Sequence, residues 1–100
     1  MGKIDKEILK NFYKAVLTLK NEEECEKFFD DACTVQEIEA IAQRFHAACL
    51  LYDGKSYVDV NNITGISTAT ISRVNKCINY GDGGYKTVIE RLRKDKNKVM

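Results

Sequence analysis

Proline is absent from all 100 positions of the chain, and the apolar residues return every third or fourth place instead of alternating. This pattern fits helices and argues against a sheet. Ile4, Ile8, Leu9, Phe12, Val16 and Leu19 form an amphipathic stripe that predicts a first helix ending near Asn21. Asn21 then reads as the cap of a short second helix reaching to about Asp31. Glu24 stands three residues on, and Glu22, Glu23 and Glu24 complement the positive helix start. Thr34 and Glu37 form a T-x-x-E capping box for the longest element, carried by Val35, Ile38, Ile41, Ala42, Phe45, Cys49 and Leu50 until Gly54 stops it. Ala40, Ala47, Ala48 and Leu51 widen its apolar surface, so it is expected to sit centrally and touch several neighbours, a dimer partner included.

Beyond Gly54, Ser56 and Asp59 mark a helix that Gly65 breaks, and Ser67 or Thr68 opens the next, with Ile71, Val74 and Ile78 facing inward. Asn79, Gly81, Gly83 and Gly84 end that helix, and Val88, Ile89 and Leu92 supply the apolar side of a last one. The expectation is an all-α fold of about six helices in a single domain over residues 1–100. Residues 1–54 serve mainly as dimerisation helices, 55–80 as a helix-turn-helix and 85–93 as a C-terminal helix, and 94–100 form a polar tail. A chain of this length gains stability when a second subunit completes its core.

The formal net charge of +1 hides an uneven distribution. Residues 1–53 carry seven Lys/Arg and eleven Asp/Glu, whereas residues 54–100 carry nine and four. No apolar run approaches the roughly 20 residues that cross a bilayer, so a cytoplasmic location is expected. Gly2 does not read as a myristoylation site, because Lys6 stands where that motif needs Ser or Thr. Cys25, Cys33, Cys49 and Cys77 include no C-x-x-C pair and His46 is the single histidine, so neither metal ligation nor a cofactor is expected. Cys25, Cys33 and Cys49 read instead as small buried packing residues. No nucleophile–base grouping is legible and no enzyme is expected.

The informative stretch is Ser56 to Ile78, SYVDVNNITGISTATISRVNKCI. Two short helices meet at Gly65, which supplies a left-handed turn. Val60 lines the inner face of the first helix, Ile66 plugs the corner, and Ile71 and Val74 pin the second helix. Ser67, Thr68, Ala69, Ser72 and Arg73 are left facing outward, a set suited to close approach to base edges. Thr68, Ala69 and Ser72 are the candidates for base-edge contact, and Ser67, Arg73 and Lys76 those for phosphate positioning. Lys55, Arg73, Lys76 and Lys86, with Arg91, Arg93, Lys94, Lys96 and Lys98 after them, place the basic excess around this unit. A plain αα-hairpin with a solvated face is the competing reading, and Asn61 speaks for it, standing where a small residue is common at the helix crossing.

TVQEIEAIAQRFHAACLLYDG (Thr34–Gly54) followed by ITGISTATISRVNK (Ile63–Lys76) resembles the tryptophan repressor superfamily. The ending INYGDGGY (Ile78–Tyr85) resembles its TrpR-like YerC/YecD branch. The resemblance covers nearly the whole chain, most specifically at Ala69–Arg73 and in the glycine-rich segment. It implies an intertwined homodimer presenting two helix-turn-helix units to double-stranded DNA, and hence a sequence-specific transcriptional repressor. It also implies an effector pocket at Thr34, Arg44 and Arg73, where the repressor's arginines sandwich an indole. Val74 replaces a glycine beside that ligand and Cys77 a serine, so the resemblance does not carry tryptophan over as corepressor. Val58 and Asn61 replace DNA-contacting basic residues, so no operator sequence carries over either. Two other readings stand beside this one: a dimeric helical protein-interaction module without DNA binding, and a repressor responding to a small-molecule effector other than tryptophan. Arg44 has a plainer reading as an ion-pair partner of Glu37 or Glu39.

Overall fold

The computed structural model describes residues 4–99, with side chains as far as Asp95. Six helices and no strands are present among the described residues: α1 (Lys6–Val16), α2 (Glu22–Ala32), α3 (Val35–Tyr52), α4 (Tyr57–Thr64), α5 (Thr68–Tyr80) and α6 (Gly84–Val99). The chain divides into two compact units, Met1–Ile38 and Glu39–Met100.

In the first unit each helix starts on a side-chain cap. The Asp5 carboxylate accepts the Glu7 N–H at 2.8 Å, and the Asn21 side chain accepts that of Glu24 at 2.9 Å. The capping box at the start of α3 forms in both directions. Glu37 Oε1 accepts the Thr34 N–H at 2.8 Å, and Thr34 Oγ1 accepts the Glu37 N–H at 3.1 Å. Those hydrogen bonds hold the Glu37 carboxyl below its usual range. α1 stops at Val16, short of the expected end near Asn21, as Leu17, Thr18 and Leu19 tighten into a terminal turn. Phe12 and Phe28 bring α1 and α2 together with ring centroids 6.1 Å apart, and Phe29 stands edge-on to Phe28 at 5.2 Å. Yet neither helix fully buries a residue.

The second unit is organised by α3. Ala47 and Ala48 are its two fully buried residues, and they serve different clusters. Ala47 packs with Val60 of α4 and Ile71 of α5, with Leu50, Leu51 and Ile66 around them. Ala48 packs with Val74 and Ile78 of α5 and Ile89 of α6, flanked by Phe45, Cys49, Tyr52 and Tyr85. Successive helical positions diverge by about 100°, so adjacent alanines face two neighbouring layers at once. Their lack of bulk lets three helices close on one.

The far end of α3 is tied to α6 by polar contacts. Arg93 donates two hydrogen bonds to the Asp53 carboxylate, at 2.5 and 2.9 Å, and its guanidinium lies 5.4 Å from the Tyr52 ring centroid. The Tyr52 hydroxyl donates to Glu90 at 2.7 Å, which raises its pKa, while the Arg93 hydrogen bonds lower that of Asp53.

Two expectations need correction. Residues 94–99 do not leave the last helix as a polar tail, since α6 runs on to Val99 and KDKNK contains neither glycine nor proline to stop it. Met100 lies outside the described residues. The cysteines are not buried packing: Cys25 is exposed and Cys33 and Cys49 only partly covered, because the helices carrying Cys25 and Cys33 enclose no full core.

Ala48→Leu forces a larger side chain between α5 and α6 and should cost about 1–3 kcal/mol in urea denaturation. A neutral outcome would contradict the close-approach role. Because the folded-state pKa of Asp53 is depressed from 3.8, its contribution to stability is present above that value and lost as pH falls through the lower folded one. The melting-temperature gap between the native protein and Asp53→Asn should therefore be full near neutrality and close below the ordinary carboxylate range. A pH-independent gap would remove the ion pair as its cause.

Candidate nucleic-acid interface

α4 and α5 form a helix-turn-helix whose corner is held by local polar contacts. Ser56 caps α4, its hydroxyl accepting the Asp59 N–H at 3.1 Å. At the other end Gly65 takes φ +76°, and its N–H reaches the Asn61 carbonyl at 2.8 Å. A Cβ at Gly65 would meet nothing within 4 Å, so glycine is required here by backbone conformation alone. The buried Thr64 hydroxyl donates to the Val60 carbonyl at 2.7 Å and accepts the Ile66 N–H at 3.3 Å. Asn61, read from the sequence as a mark against the motif, donates its side-chain amide to the Ile66 carbonyl at 2.6 Å. It spans the turn and holds in place the residue that plugs the corner.

α5 then divides cleanly. Ile71, Val74 and Ile78 are buried, whereas Thr68, Ala69, Ser72, Arg73 and Lys76 are exposed. At about 100° per residue, Thr68, Ser72, Lys76 and Ala69 share one arc roughly 100° wide, and Arg73 borders it. Ser67 is exposed as well, but its hydroxyl is engaged as the N-cap. It accepts the Thr70 N–H at 3.2 Å and donates to the Thr70 hydroxyl at 3.0 Å. All six candidates for DNA contact thus occupy the outward side of α5 and its cap.

The candidate effector residues are placed less uniformly. Arg44, partly buried on α3, and Arg73 line one groove of about 440 Å³ together with Thr70, Val74, Cys77 and Tyr85. Arg44 makes no salt bridge among the described residues, which leaves the plainer ion-pair reading without support. Thr34 belongs to the first unit, where its hydroxyl is committed to the α3 capping box. Thr70 and Tyr85 were not singled out from the sequence. The aromatic one residue beyond Gly83–Gly84, at the start of a helix, was the available signal for Tyr85.

The basic excess is also less free than its sequence position suggests. Arg93 is spent on Asp53 and Tyr52, while Lys55, Lys76, Lys86, Arg91 and Lys94 are exposed.

Comparison with known proteins agrees with this arrangement. Residues 7–93 match the sequence model of the family described as Trp repressor protein. The uncharacterized protein YerC of Bacillus subtilis (strain 168) is 45% identical over 85 residues, covering 85% of this chain and 82% of that protein. The crystal structure of a TrpR like protein from Eubacterium eligens superposes with a TM-score of 0.83 at 45% identity, covering 86% of this chain and 89% of that one.

Proposed function

Because this chain belongs to the Trp repressor protein family, we propose that it is a sequence-specific DNA-binding transcriptional regulator, a repressor that acts as a homodimer in the cytoplasm. One observation carries the reading: α5 is pinned from behind by Ile71, Val74 and Ile78 while Ser67, Thr68, Ala69, Ser72, Arg73 and Lys76 all lie outward. No helix among the described residues is long and apolar enough to cross a membrane, in keeping with such a role.

The recognition helix enters the major groove at its N-terminal end, with Thr68, Ala69 and Ser72 at base edges and Arg73 and Lys76 at phosphates. Ser67 contributes by fixing that end of the helix. A homodimer presents two such units to half-sites about 34 Å apart, one helical turn of DNA. Support for the second copy comes from α1, which leaves Ile8 58% and Phe12 40% exposed on an amphipathic helix with no fully buried residue. Residues 1–54 would then supply most of the dimer contact.

Fragments selected from genomic DNA should bind with an affinity that falls steeply with salt, in a complex whose light-scattering mass is that of a dimer. Lys76→Ala should weaken all sequences alike and reduce the log–log salt slope by about 0.9. Thr68→Ala should change which sequences are preferred. Salt-independent, unselective binding would contradict the reading. Retention of a defined protein partner without DNA binding would favour the interaction-module alternative.

The Arg44–Arg73 groove favours a second reading, in which the same regulator answers to a small carboxylate effector. Val74 occupies part of the groove wall and speaks for a ligand other than tryptophan. In a thermal-shift screen of amino acids an effector should raise the melting temperature, by the equivalent of about 2.7 kcal/mol at a hundredfold excess over Kd. The shift should vanish in Arg44→Ala. No shift with any amino acid would remove carboxylates of this class.

A further inference from the structure

The outward chemistry of the first two turns of α5 is narrow. Between Ser67 and Arg73 the exposed side chains before the arginine are Thr68, Ala69 and Ser72, and the Ser67 hydroxyl is taken up by Thr70. Asn and Gln read adenine, and Asp and Glu read the cytosine amino group. None of these four occurs in residues 67–73. Asn75 is partly buried, and Asn79 lies about 16 Å along the helix from Thr68, beyond the end that meets the bases. What the leading end of α5 offers a base pair is therefore two methyl groups and short hydroxyls. The base feature that matches a methyl group is the C5-methyl of thymine. Small side chains also let the helix approach closely enough for that contact, and the rigid corner made by Asn61, Thr64 and Gly65 fixes where the methyls sit.

We infer that Thr68 and Ala69 select thymine within each half-site through contact with its C5-methyl group, so that recognition depends on methyl burial more than on bidentate hydrogen bonding. The inference rests on the DNA-binding reading above and deepens it by naming the base that α5 selects.

The test uses duplexes enriched by the full-length protein from a random pool, with each thymine replaced in turn by deoxyuridine. That change removes the methyl and leaves every Watson–Crick and groove hydrogen-bonding group in place. At one or two positions per half-site the native protein should lose about fourfold in affinity per buried methyl. At the same positions Thr68→Ser, which keeps the hydroxyl, and Ala69→Gly should each abolish one thymine–uracil difference. Their salt slopes on unselected DNA should stay unchanged, which reports an intact interface. If Ala69→Gly does not fold, the native protein and Thr68→Ser still decide the matter. Selective, salt-dependent binding that is indifferent to every uracil substitution would overturn the inference and leave the DNA reading standing. Absence of any salt-dependent DNA binding would overturn both.

Discussion

The presentation of α5 depends on how closely it can approach α3, and that approach is set by two methyl side chains. Ala47 and Ala48 are fully buried at successive positions of one helix, and each anchors a separate apolar cluster. A larger residue at either position would move α5 away from α3 and separate the clusters, since interiors packed to crystal-like density absorb added volume only by displacement. Val60, Ile71 and Ile89, each at most 1% exposed, fill the space the alanines leave open. Burial of such side chains is worth about 1.5–3 kcal/mol apiece.

With its inner stripe fixed, α5 has no freedom to turn its outer face elsewhere. The small and cationic residues between Ser67 and Lys76 are exposed because the apolar residues between them are committed to the core. The turn contributes the second restraint. Gly65 supplies the left-handed conformation, while the side chains of Asn61 and Thr64 satisfy backbone groups that the corner would otherwise leave open. The polar tie of Asp53, Tyr52, Glu90 and Arg93 locks α6 to the end of α3 and removes one cation from those available to a polyanion. Electrostatic attraction to DNA therefore falls to Lys76 and its exposed neighbours, and the half-chain charge excess overstates it.

Most of the fold was legible locally because helix ends are local chemistry. Asn21, the Thr34–Glu37 pair, Ser56 and Ser67 announce their helices, and Gly54 and Gly65 take the positive φ that ends them. The six outward residues of the candidate interface followed from the apolar register of α5. What stayed hidden depends on partners distant in the chain or on the absence of a stop. The Arg93–Asp53 pair joins residues 40 apart, which no local pattern announces, so Arg93 read as one more free cation. The continuation of α6 to Val99 was masked by a polar composition that also suits an exposed helix. Asn61 was misjudged because its size was weighed and its hydrogen-bonding capacity was not.

The central claim is that α3 holds α5 so that one outward face, Ser67 to Lys76, meets DNA. Amide chemical-shift mapping of the labelled protein against a selected duplex tests this most directly. The largest changes should fall within residues 67–76, with the amides of Ile71 and Val74 moving less than those of Thr68, Ala69 and Ser72. Changes centred on α1 and α2, or spread evenly over the chain, would contradict it.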